Sequence, residues 1–191
     1  MPHPKHVFKF CPFCGSQNFR WDGTKAHICS DCLHKLYVNE AGATVALIKN
    51  AQNELLFTTR KFNPAAGMLD LPGGFIDLGE SAEDCVKREV KEELNLEVSE
   101  LAFFGTFPNE YEYGGLTYFT IDIVFECRVQ SFDTLRVGDD AADVKFIRPA
   151  DVNLNDIGLK SIKNVVLRVK TLSETGENNS ESTKNNKNST K

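Results

Sequence analysis

The sequence predicts an α/β domain behind a short cysteine-rich module. Three observations predict it. Residues 1–39 concentrate cysteine, histidine and aromatic residues and carry two Cys-x2-Cys pairs. Between residues 40 and 172, β-branched apolar runs are interrupted by one helical pattern and closed by another. Residues 173–191 contain no large apolar side chain, so they cannot offset their ordering entropy and are expected to be disordered.

The elements follow in order. Residues 43–49 (ATVALIK) and 54–60 (ELLFTTR) read as strands around a turn at 50–53. A Pro- and Gly-bearing loop covers 62–67. Residues 81–94 read as a helix. Ser81 is its N-cap and Asp84 its capping partner, and Ala82, Val86, Val90 and Leu94 form a buried stripe at four-residue spacing. Strands are expected at 97–107 and 116–129, the second long and strongly apolar, with a hairpin loop at 112–115. A short strand is expected at 145–148. Ile157, Leu159, Ile162, Val165, Val166 and Val169 give residues 155–172 the period of an amphipathic helix.

Composition narrows the functional classes. The net charge is −5, which argues against nucleic acid as a general partner. No apolar run is long enough to span a membrane, and no secretory leader is visible, so a cytoplasmic location is expected. In that setting paired cysteines read as metal ligands before disulfides. Cys85 and Cys127, which are unpaired, read as core residues.

Cys11, Cys14, Cys29 and Cys32 fit a structural four-thiolate zinc ribbon over residues 1–39. Gly15 permits the tight backbone of the first knuckle. Such a site has no open position, so it stabilises the fold and leaves catalysis to other residues. His27 and His34 are expected to be exposed or hydrogen-bonded. Phe8, Phe10, Phe13, Phe19, Trp21 and Tyr37 are expected to form the ribbon's small core. Lys5, Lys9, Arg20, Lys25 and Lys35 only modestly outnumber Asp22 and Asp31, a weak signal for nucleic-acid binding.

The helix at 81–94 carries the chemistry. Glu89, Glu92 and Glu93 stand at i, i+3 and i+4 and share one face, where like charges repel. Taken alone this is an ordinary solvated acidic face. Its context differs. Gly74, five residues, Glu80, seven residues, then Arg88-Glu89-Val90-Lys91-Glu92-Glu93-Leu94-Asn95-Leu96 resembles the signature box of the Nudix hydrolase family. Asn95 stands where the family has Gly, and Asn is the best substitute for a left-handed helix end. Pro64, Gly67 and Leu71-Pro72-Gly73-Gly74 resemble the family's lead-in, with Leu69 where an aromatic is common.

The resemblance implies an α/β/α sandwich with a mixed sheet over residues 40–172. It implies a small-molecule nucleotide substrate, a nucleoside diphosphate linked to another group, cut at its pyrophosphate with Mg2+ or Mn2+. Phosphoryl transfer needs positioning and charge neutralisation above all, and clustered carboxylates hold the ions that supply it. By position, Glu89, Glu92 and Glu93 are implied as metal ligands, with the Gly73 carbonyl a further ligand. Arg88 and Glu80 support them. Gly73 and Gly74 let the loop approach substrate. Asp140, from the acidic set Asp139, Asp140 and Asp143, is the added ligand. Arg60 is a candidate for a substrate phosphate. Phe107, Asn109, Tyr111, Tyr113 and Tyr118 are candidates for a base or ribose.

A ribbon ahead of such a domain is similar to NADH pyrophosphatases. The SQPW-type motif of those enzymes is absent, so ADP-ribose, dinucleotides such as NADH or NAD, and nucleotide sugars all stay open. A homodimer is implied by many relatives. Two alternatives are a catalytically weak nucleotide-sensing regulator and a ribbon-mediated nucleic-acid-binding protein.

Overall fold

In the computed structural model of the protein, residues 3–138 and 141–182 are described, with side-chain surroundings through residue 175. The chain opens with a helical turn, α1 (Pro4–Val7), followed by a three-stranded antiparallel sheet of β1 (Phe19–Trp21), β2 (Ala26–Cys29) and β3 (Lys35–Tyr37). Phe19, Cys11 and Cys29 fill its centre. The wider aromatic core expected here does not form: Phe8, Phe10, Phe13 and Tyr37 are exposed. Strands of three or four residues cannot cover so many rings. His27 is a second departure. It is buried between Phe8, Phe19 and Trp21, and neither ring nitrogen has a hydrogen-bond partner among the described residues. His34 stacks on Phe13. His3 packs its ring 5.0 Å from Phe119, resting the ribbon on the main domain.

The main domain is a mixed α/β fold. Its larger sheet has the order β7 (Gly73–Phe75), β4 (Ala41–Ile48), β9 (Leu116–Val129), β8 (Val98–Tyr113). β4 and β9 run parallel and the other neighbours antiparallel. A second, antiparallel sheet has the order β10 (Ala141–Ile147), β5 (Leu55–Arg60), β6 (Leu69–Asp70).

The apolar runs of β4 and β5 are buried on both faces, which is why they are continuous and do not alternate. Val45, Leu47, Leu55 and Phe57 enter one core with Ile162, Val165, Val166 and Val169 of α3 (Lys160–Ser182). Their neighbours Ala46, Ile48 and Leu56 enter the other with Val86, Val90 and Leu94 of α2 (Ala82–Leu94). Each fully buried Val or Leu contributes roughly 1.5–3 kcal/mol.

Ser81 caps α2 by accepting from the Asp84 N–H and donating to the Asp84 carboxylate. Asn95 closes it in the left-handed conformation, φ 55°. β8 runs past its expected end to Tyr113, paired throughout with β9. The short β6 and β7 carry too few residues to show a period. The last helix begins at Lys160 and continues to Ser182, into the polar segment expected to be disordered. Once a packed stripe nucleates a helix, adding turns costs little. No described helix is long and apolar enough to cross a membrane.

Candidate active site and thiol cluster

The four cysteines converge. Their sulfur atoms all lie within 4.8 Å of one another. Cys11 and Cys32 are 3.7 Å apart, Cys14 and Cys29 3.6 Å. These separations are far beyond a disulfide bond of about 2.05 Å. They match the ~3.8 Å edge of a tetrahedron with metal–sulfur bonds near 2.3 Å. Backbone geometry sets this up: Gly15 donates to the Cys11 carbonyl at φ 74°, and Leu33 donates to the Cys29 carbonyl at φ 61°. Asp31 ties the two knuckles together by accepting from Ser16 and Asn18.

On α2, Arg88 organises the acids. Its Nε and Nη2 meet the two oxygens of Glu80 at 2.8 and 2.9 Å. Its Nη1 donates to Glu89 at 2.7 Å and to Glu92 at 3.1 Å, and Nη2 also donates to the Phe75 carbonyl. These Arg88 bonds hold the Glu80 carboxyl down to about 2. Glu89 goes the other way: burial pushes its carboxyl up, and Arg88 only partly offsets that. Glu93 accepts from the Gly73 N–H at 3.2 Å.

The two glycines of the preceding loop are required by contact. A Cβ on Gly73 would collide with the Thr44 backbone carbonyl, and one on Gly74 with the Glu89 carboxylate. The loop at 130–138 is fastened to the end of α2 by the Arg136 N–H on the Leu94 carbonyl and the Gly138 N–H on the Glu93 carbonyl. Asp140, the next expected ligand, lies outside the described residues.

A cavity of about 550 Å³ opens beside this cluster. Glu89, Glu93, Arg88, Gly73 and Gly74 form one side, and Asn109, Tyr111 and Tyr113 of β8 another. Glu92 does not line the cavity, and its side chain is 59% exposed. Phe107 is buried in the core against Phe104, and Tyr118 is exposed; neither lines the cavity. Arg60 does line it but is engaged. It is ion-paired to Asp70 and donates to the Pro64 carbonyl and the Tyr111 hydroxyl. Burial works against its charge, but Asp70 outweighs this and raises its pKa.

Sequence reading did not single out Asp70, Asp122, Thr58, Thr120 or Phe75, all of which line the cavity. Burial pushes the Asp122 carboxyl up. Only sheet register brings these residues together, and no local spacing announces it.

An oxygen-rich donor set of this kind suits a hard divalent ion. Among the described residues, however, only the thiols gather three or more ligand atoms within 4.8 Å. Glu89 and Glu92 converge on Arg88 Nη1, while Glu93 turns to the Gly73 amide.

A NUDIX domain family model matches residues 39–168. The chain is 32% identical over 106 residues to an NAD-capped RNA hydrolase NudC of Vibrio vulnificus, covering 56% of this chain and 40% of that protein. It is 36% identical over 115 residues to an ADP-ribose pyrophosphatase of Methanocaldococcus jannaschii, covering 59% and 64%. The chain therefore spans about two fifths of the length of the NudC relatives it matches. A NUDIX hydrolase from Nitrosomonas europaea superposes with a TM-score of 0.67 at 21% identity, over 88% of this chain and 94% of that one. The NUDIX domain of Shewanella oneidensis NrtR, crystallised with ADP ribose, superposes with a TM-score of 0.57 at 20% identity, over 70% and 88%. The two superpositions show the fold.

Proposed function

The chain belongs to the Nudix family, and from that premise we propose that it hydrolyses the pyrophosphate of a nucleoside diphosphate linked to a further group. ADP-ribose and dinucleotides of the NAD type are the favoured substrates, in line with the names of its relatives. The observation that carries this reading is the placement of Glu89, Glu93 and Arg88, which also binds Glu80 and Glu92, on the wall of a cavity of nucleotide size.

Glu89, Glu92 and Glu93, with the Gly73 carbonyl and Asp140, would hold Mg2+ or Mn2+. The bound ion supplies charge neutralisation at the phosphate oxygens. Arg88 and Glu80 position the glutamates. A carboxylate of the cluster takes the proton of the attacking water. The loop at Gly73–Gly74 lets the pyrophosphate approach the backbone, and Tyr111 and Tyr113 flank the organic group. Cys11, Cys14, Cys29 and Cys32 would hold a structural Zn2+. A paired-cysteine zinc site, with Cys85 and Cys127 buried as unpaired thiols, suits a reducing compartment such as the cytoplasm. A homodimer, as in many members of the family, completes the reading.

The test is phosphate-ester release from ADP-ribose, NAD, NADH and NAD-capped RNA with Mg2+ or Mn2+. Glu92→Gln and Glu93→Gln are each expected to lower kcat by roughly 10²–10⁴-fold with unchanged circular dichroism. Full turnover in both variants overturns the assignment. Nucleotide binding with no cleavage of any substrate favours a sensing regulator instead.

A further inference from the structure

The cavity has a polar recess that the hydrolytic reading does not use. Asn109 is 6% exposed, yet it lines the cavity, and its Oδ1 has no hydrogen-bond partner among the described residues. A buried amide oxygen left unpaired is costly, and such groups in native proteins are ordinarily satisfied by something. Its neighbours do not satisfy it. Thr120, directly opposite in the register, gives its hydroxyl to Asp122 at 3.1 Å. Arg60 and Asp70 are taken up with each other.

Position separates this recess from the chemistry. Gly73 is on β7, and Asn109 is on β8, three interstrand steps away through β4 and β9. At 4.7–4.9 Å per step the separation reaches about 14 Å. A pyrophosphate held at Gly73, Gly74 and the glutamates does not extend to Asn109, but an organic group attached to it does.

The surroundings specify a flat ring. Phe75 and Tyr111 meet edge to face with ring centroids 5.9 Å apart, and Tyr111 is tilted against Tyr113 at 6.4 Å. Leu71, Leu159 and Ile162 supply apolar wall in the same cavity. A heterocycle covers these surfaces and stacks on the aromatic faces.

We propose that Asn109 is a specificity residue, whose Oδ1 accepts a hydrogen bond from the NH2 group of an aromatic heterocycle carried on the substrate. Two sources share this chemistry, the amine of adenine and the carboxamide of nicotinamide. The proposal rests on the nucleotide-hydrolase reading but is tested by binding, so the two can fail separately.

Equilibrium binding is measured by calorimetry on the full chain without divalent ion, so that turnover does not enter. One arm compares ADP-ribose with its analogue bearing purine in place of adenine. The other compares NAD with 3-acetylpyridine adenine dinucleotide. The expected result is at least tenfold weaker binding of the analogue lacking NH2 in one arm, which identifies the ring. In Asn109→Leu that difference should collapse below about twofold, through loss of affinity for the NH2-bearing ligand, with no fall in Tm. Discrimination under threefold in both arms of the natural protein overturns the proposal whether or not the variant folds. So does discrimination that survives in a folded Asn109→Leu. Binding of ligands with this pattern but no hydrolysis when Mg2+ or Mn2+ is added would remove the enzymatic reading and leave the recess standing.

Discussion

The thiol cluster and the carboxylate helix, the two cation sites proposed for this chain, differ in how closely their ligand atoms converge. The four sulfurs already lie within 4.8 Å of one another, and two pairs sit at the edge length of a metal tetrahedron. The glutamates of α2 are engaged with other groups, Glu89 and Glu92 on one nitrogen of Arg88 and Glu93 on the Gly73 amide. The difference follows from charge. Thiols can be neutral, so backbone turns alone bring four of them together. Carboxylates repel at neutral pH, and a fold that packs three on one helix face must supply a positive partner. Arg88 is that partner. A closed site can be preassembled; one that must exchange substrate and ion keeps its ligands on a movable counter-charge.

Cys29→Ser should break the first half of this comparison and have the largest effect. Structural zinc sites contribute an apparent ~10–16 kcal/mol of binding free energy that is also folding free energy. The variant should lose stoichiometric metal in elemental analysis, and the signals of residues 1–39 should collapse in a proton–nitrogen NMR spectrum. A natural protein without stoichiometric metal, together with dispersed ribbon signals in Cys29→Ser, would show that the cluster is only a cysteine core.

The glycine pair sharpens the second half. Gly73→Ala drives a Cβ into the Thr44 backbone, which cannot yield, so about 3 kcal/mol of stability should be lost in urea titration. Gly74→Ala meets only the tip of Glu89, a side chain that can swing. It should leave the urea midpoint within ~1 kcal/mol of stability and lower kcat about tenfold by displacing that carboxylate. Equal stability losses in both would refute the distinction.

The smallest effect concerns pH. Glu80 has an ordinary carboxyl value of 4.5 in the unfolded chain and about 2 when folded. The unfolded state therefore binds more protons between these values. The stability from the Glu80–Arg88 pair is complete above about pH 4.5 and is lost as pH falls through about 2. The Tm of the natural protein should fall more steeply between about pH 5 and 2 than that of Glu80→Gln. Parallel curves would show that Arg88 is not a significant partner.

What could be read along the chain were features set by short spacing. The Cys-x2-Cys knuckles, the Ser81 cap, the Asn95 helix end and the Glu80–Arg88 pairing all depend on residues within about ten positions. The ribbon core is not legible in the same way, because aromatic composition does not say how little sheet there is to cover the rings. His27 was expected to be exposed or hydrogen-bonded and is packed among rings instead, since burial depends on neighbours brought in from other segments. Arg60 looked available for a phosphate. Asp70, ten residues on and placed beside it by the β5–β6 pairing, removes that freedom.

The sequence by itself determined which residues carry charge and sulfur at ligand spacing, and hence the family and the class of chemistry. The tertiary structure alone decided which of them share a cavity. Asn109, Thr120 and Asp122 are brought into the same cavity as Gly73 and Glu89 by the register of β7, β4, β9 and β8. Register is set by how two cores are filled at once, a property of the packed sheet that no single stretch of chain contains.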